Sequence, residues 1–262
     1  MRAPLYVLLA LLLTAPAAAQ VCPVPKILAF VIDREIRRSA YGFTEGLEVA
    51  DGALLESTGD LMGNTVINRI DLASGEVRVL MDAGKRYFGE GLTRFGGRLY
   101  QMSWREHRVF VFDHRMKPLG ELKNPREGWG LTHDQTRLIA SDGSGRLYFL
   151  SPEDFSTQGS LAVKDQGRSV SNLNELEFVD GAVWANVFES WMVVKISPVT
   201  GCVLARADLS PLHARMTPAD RHIVDSDANF VPNGIAWDPE SRRFILTGKE
   251  WPMLFSGQFV EE

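Results

Sequence analysis

Apolar and polar positions alternate along most of the chain instead of recurring at helical spacing. ILAFVID at 27–33, GALLEST at 52–58, TVINRIDL at 65–72 and GRLYQMS at 97–103 are short, rich in β-branched or aromatic residues and bounded by turn residues. HRVFVFD at 107–113, RLIASD at 137–142 and GRLYFLS at 145–151 read the same way. The pattern predicts strands throughout. Only PLHARMTPADRHIV at 211–224 looks helical, and Pro218 confines it to a short insertion, because proline inside a helix removes an amide donor.

The strands also repeat. Gly followed by Leu or Ile occurs at Gly46-Leu47, Gly91-Leu92, Gly130-Leu131 and Gly234-Ile235, with Leu176-Glu177 in the fourth slot. A turn and a second apolar strand follow each start, at intervals of about 40 to 60 residues. That spacing suits four strands per repeat. The expected fold is therefore all-β, a five-bladed β-propeller whose last blade is closed by ILAFVID from the N-terminal side, which turns two free ends into a paired ladder and leaves only short edges. The stretch 208–232 is expected to be an insertion over one face, and no linker divides the chain.

Residues 1–19 read separately. Arg2, an apolar run from Leu5 to Leu13 and small residues Ala17, Ala18 and Ala19 make a secretory signal peptide, too short to span a bilayer. The expected mature chain is a single catalytic domain over 20–262, in the periplasm or secreted, with no membrane contact after signal removal, and monomeric. The formal charge is −5, with no block of Lys and Arg to offset it, which argues against a nucleic-acid partner. Cys22 and Cys202 are the two cysteines. In an oxidising compartment they form either a bridge or two separate thiols; no zinc spacing or CxxC pair is present.

If the first strand of each repeat lines a central channel, FTEGL, FGEGLT, EGWGLT, NELE and PNGIA bring Glu45, Glu90, Trp129, Asn174, Glu175, Glu177 and Asn233 together. Trp104, Asp142, Asn186, Phe188, Lys249 and Trp251 follow at strand ends. Each has a packing alternative, but acids and a lysine beside several aromatic rings suit a pocket for a polar ligand. Glu90, between Gly89 and Gly91, either accepts amides in a tight turn or, desolvated, moves a proton near neutral pH. Lys249 and Asn174 either make structural contacts or stabilise developing negative charge. The five histidines form no HExxH motif.

In order, FTEGL, ESTG, FGEGLT, QMSW, GWGLT, SDGS, LNELE, WANVF, NGIAWDP and TGKEWP resemble the plant-type glutaminyl cyclases, or glutaminyl-peptide cyclotransferases, of plants and bacteria. The resemblance runs from Tyr41 to Phe255. It implies a five-bladed propeller that turns an N-terminal glutaminyl residue into pyroglutamate with release of ammonia, unrelated in fold to the zinc-dependent animal cyclases. It also implies that Glu90 is the acid/base, that Asn174 and Lys249 make polar contacts, and that Phe43, Trp104 and Trp129 form an aromatic pocket. Two positions depart from the pattern: Glu45 stands in FTEGL where the plant motif has glutamine, and Phe188 stands where it has tryptophan. Glu45 would place a second anion near the substrate's amine, and Phe188 keeps an apolar wall without an indole donor. No cofactor is required by this chemistry; a structural calcium ion remains an alternative the resemblance brings, without an EF-hand spacing to support it.

Two other readings compete. One is a propeller hydrolase of lactonase type, with calcium on oxygen donors from Glu45, Glu90, Asn174, Glu177 and Asn233. The other is a noncatalytic module that retains peptides on the same face.

Overall fold

The computed structural model describes residues 21–60 and 65–262, so the expected signal peptide at 1–19 lies outside the described residues. Strand β1 (Lys26–Arg37) leads into an antiparallel sheet of β2 (Thr44–Ala50), β3 (Ala53–Thr58), β4 (Thr65–Ile70) and β5 (Val77–Gly84). A second sheet holds β6 (Gly89–Phe95), β7 (Arg98–Ser103), β8 (Arg108–Phe112) and β9 (Pro118–Lys123). A third holds β10 (Leu131–His133), β11 (Leu138–Ala140), β12 (Arg146–Leu150) and β13 (Thr157–Ala162), followed by a hairpin of β14 (Lys164–Asp165) and β15 (Arg168–Ser169). The remaining strands are β16 (Leu173–Val179), β17 (Ala182–Val187), β18 (Met192–Ile196), β19 (Val203–Asp208), β20 (Pro232–Asp238), β21 (Arg243–Gly248) and β22 (Met253–Glu261). They form an eight-stranded sheet in the order β16-β17-β18-β19-β1-β22-β21-β20.

The N-terminal strand is longer than the alternation of ILAFVID indicated, because its partner extends it. β1 runs antiparallel to β22 from Leu28 opposite Glu261 to Arg37 opposite Met253. On its other side it meets β19 in parallel only from Lys26 to Leu28. Cys22 and Cys202 are joined in a disulfide across 180 residues of sequence, which ties the start of the described chain to the head of β19 and restricts the unfolded ensemble.

The first strands neighbour one another in a closed order, β2 to β6, β10, β16, β20 and back to β2. Their glycines explain the repeat. A Cβ on Gly46 would lie 2.6 Å from the Leu92 amide, one on Gly91 2.4 Å from the Leu131 amide, and one on Gly130 2.0 Å from the Asn174 carbonyl. Backbones this close leave no room for a side chain.

The 208–232 insertion contains two short helices, α1 (Ser210–Arg215) and α2 (Pro218–Val224). Pro218 does not merely limit a helix: it opens the second one, where its missing amide costs nothing, and Thr217 caps that helix by accepting from the Asp220 amide. Leu209, Leu212, Met216 and Val224 anchor the insertion in the same apolar cluster as Trp251 and Phe255.

Candidate active site

A cavity of about 500 Å³ opens beside these first strands. Phe43, Glu45, Glu90, Trp104, Trp129, Asn174, Phe188 and Lys249 all line it. The strands place the polar residues there through irregularities in pairing. Register shifts fall between Thr44 and Gly46, Gly89 and Leu92, Leu173 and Leu176, and Pro232 and Ile235. Those gaps hold Glu45, Glu90, Asn174 with Glu175, and Asn233. A bulge re-aims a side chain that regular alternation would send elsewhere, and this local device recurs at four of the five starts, while β10 pairs with β11 in regular register.

Glu90 is 5% exposed and takes no hydrogen bond from the described residues. Burial, reinforced by the charge of Glu45, pushes its carboxyl well above the usual carboxylate range, against the pull of Lys249. Glu45 is ion-paired with the Lys249 ammonium, both side chains being buried, and accepts from Asn233 Nδ2 at 3.2 Å. Burial raises Glu45 as well, and the Lys249 ammonium opposes that rise. Lys249 Nζ lies 4.2 Å from the ring centroid of Phe43 and 5.3 Å from that of Phe188, so its charge is held over two aromatic faces. Asn174 has a buried carboxamide oxygen without a partner, a costly state that a ligand amide would relieve.

The walls are aromatic on both sides. Trp129 meets Phe188 edge to face at 5.6 Å and 88°, while Phe88 links Trp104 at 5.4 Å to Phe43 at 6.4 Å. Two small motifs gain a reason here. A Cβ on Gly59 of ESTG would lie 2.2 Å from the Phe88 ring, and one on Gly143 of SDGS 2.6 Å from the Trp129 indole. Both glycines seat a wall residue.

A profile of the glutamine cyclotransferase family matches residues 6–259. The chain belongs to the glutamine cyclotransferase family. It is 37% identical to the glutaminyl-peptide cyclotransferase of Arabidopsis thaliana over 235 residues, which span 84% of this chain and 71% of that protein. The crystal structure of Myxococcus xanthus glutaminyl cyclase superposes with a TM-score of 0.79 at 33% identity, covering 91% of this chain and 99% of that one.

The cyclotransferase pocket also contains residues the sequence reading passed over. Phe88, Phe230, Asp60, Asp227 and Glu250 line it; Phe230 and Asp227 arrive from the insertion, which gave no signal of where it folds. Other candidates lie elsewhere. Trp251 is fully buried, donating to the Phe230 carbonyl at 2.9 Å. Asn186 accepts from the Gly234 amide at 2.9 Å, and Asp142 is occupied by the amide and hydroxyl of Ser144. Of the oxygen donors considered for calcium, Glu45 is paired with the Lys249 ammonium and Glu177 accepts from the Trp237 amide at 2.9 Å. Among the described residues no group of three or more His, Cys, Asp or Glu side chains is placed to hold a metal ion.

Proposed function

We propose that this pocket converts the N-terminal glutamine of peptides or proteins to pyroglutamate with release of ammonia, by intramolecular aminolysis assisted by Glu90. The observation that carries the reading is the convergence of a desolvated Glu90, the paired Lys249 and the unpartnered Asn174 between aromatic walls. The α-amine attacks the side-chain carbonyl carbon, forming a C–N bond and a tetrahedral intermediate. The bond from that carbon to the amide nitrogen then breaks. Glu90 takes the proton from the attacking nitrogen and delivers it to the departing one, so ammonia leaves neutral and the carboxyl returns to its starting state. A raised carboxyl suits both halves of that transfer near neutral pH.

The Lys249 ammonium and the side-chain NH2 of Asn174 donate to the negative charge on the carbonyl oxygen, while the unpartnered Asn174 Oδ1 accepts from a substrate N–H. In this chain Glu45 shares Lys249, which tempers that field. Phe43, Trp104, Trp129 and Phe188 press on the aliphatic part and hold it folded, supplying orientation that a free peptide lacks. The reaction is acyl transfer within one residue, moves neither electrons nor phosphate, and on this reading needs neither zinc nor another cofactor.

The same reading extends to the scaffold and its setting. We take the sheets as five blades, the eight-stranded sheet counting as β16 to β19 plus β20, β21, β22 and β1, since only a short parallel stretch joins the two groups. The disulfide and residues 1–19 support export to the periplasm or medium, and we take the exported domain as a monomer.

The test is ammonia release from a short peptide beginning with glutamine, with the cyclised product identified by mass. Turnover of that peptide, and none of the same peptide begun with asparagine, is expected. Peptide retention without ammonia release would overturn the reading in favour of a binding module.

A further inference from the structure

Glu127 precedes the Gly128-Trp129 step and belongs to none of the groups assigned above. Its Oε2 accepts from the indole nitrogen of Trp104 at 3.0 Å and from that of Trp129 at 3.5 Å, the second bond being the longer and weaker. Its Oε1 accepts from Arg105 Nε at 2.9 Å. The Arg105 guanidinium in turn lies 3.9 Å from the Trp104 ring centroid. One carboxylate therefore gathers three donors, two of them the indole edges of neighbouring tryptophans that line the pocket. The backbone is pinned beside it, with the Gly128 amide donating to the Trp104 carbonyl at 3.0 Å.

We infer that Glu127 is a positioning residue of the cyclisation pocket, fixing the separation and tilt of the Trp104 and Trp129 indoles that fold the substrate side chain. The inference rests on the reading of the pocket given above. An indole with an untethered nitrogen swings about the bond to its ring, and its two faces then present a wider slot. Arg105 and Glu127 are partly exposed, and a pair of that kind adds little stability. Its effect is on orientation. Burial pushes the Glu127 carboxyl up, yet the bonds from Arg105 and the two indoles hold it below the usual range, so it stays an anion and acceptor wherever Glu90 works.

The experiment compares wild-type protein with E127M, which keeps bulk without an acceptor, and E127Q, which keeps an acceptor oxygen. Indole N–H resonances are followed in protein carrying ¹⁵N-tryptophan, together with kcat, KM and thermal midpoint. In E127M two indole cross-peaks move upfield and kcat/KM falls about tenfold to a hundredfold, mostly in kcat, because the bound side chain leaves attack geometry. The midpoint changes little, and E127Q recovers most of the rate. Unmoved cross-peaks in E127M, moved cross-peaks with unchanged kcat/KM, or an equal loss in E127Q would each overturn the inference. Failure of wild-type protein to release ammonia would sink the cyclisation reading alone, since the indole shifts report the tether independently.

Discussion

Two groups of buried glutamates occupy the first strands, and they differ in what reaches their oxygens. Glu175 accepts from the Leu47 amide at 3.1 Å and the Ile235 amide at 2.7 Å, joining β16 to β2 and β20. Glu48 accepts from the Arg94 amide at 2.6 Å and the Thr93 hydroxyl at 3.1 Å, joining β2 to β6. These acids are cross-braces between strands that have no ladder to each other. Glu90 sits in the same kind of strand but faces the cavity without such donors, and Glu45 meets only a side-chain ammonium and an amide. Burial pushes all four carboxyls up. A raised carboxyl alone therefore does not mark chemistry. What separates the groups is whether backbone amides have already claimed the oxygens.

Substitutions should break the two groups in different observables. The largest effect is expected for Glu90→Gln, which keeps shape and removes the proton carrier, lowering turnover by about 10²–10⁴-fold in an ammonia-release assay. Next is Glu175→Ala. It strands two buried amides at about 1–3 kcal/mol each, lowering stability in denaturant titration while molecules that remain folded keep turning over.

Glu48→Gln should act through pH. Burial, opposed by bonds from Arg94 and Thr93, raises this carboxyl to about 8. The folded state therefore binds a proton that the unfolded state has released, and the associated stability is present below the unfolded value and lost as pH rises towards about 8. Glu48→Gln should flatten that decline in urea midpoints measured across the same pH range. The smallest effect on turnover is expected for Glu45→Gln, although breaking a buried ion pair also lowers stability. It removes a negative neighbour of Glu90 and leaves Lys249 uncompensated; both changes favour the ionised Glu90, so the limb of the pH-rate profile that reports Glu90 should move to lower pH.

Much of this division was legible in the sequence and part was not. The inner strands announced themselves through the recurring Gly-Leu or Gly-Ile step at their starts; β9, PLGELK, is exposed at nearly every position and offers no apolar period to read. Repeat position picked out Glu90, Trp104, Trp129 and Asn174, since equivalent starts converge in a ring. It gave no means of telling Glu175 from Glu90, because the distinguishing amides of Leu47 and Ile235 are 128 and 60 residues away. Lys249 was visible as a charge in TGKEWP, yet its partner Glu45 lies 204 residues earlier. Phe88 reads as one more core aromatic, and nothing in the polar insertion shows that Phe230 returns to the pocket. Pairing across distant strands, not composition, sets these roles.

The central claim is that Glu90 performs chemistry where its neighbours in the ring hold strands together. It is tested most directly by measuring ammonia release and thermal midpoint on the same preparations of E90Q and E175A. The account predicts that E90Q keeps the wild-type midpoint and loses nearly all turnover, while E175A loses stability and retains turnover in its folded fraction. An E90Q protein that cyclises a glutamine-initiated peptide at the wild-type rate would contradict it.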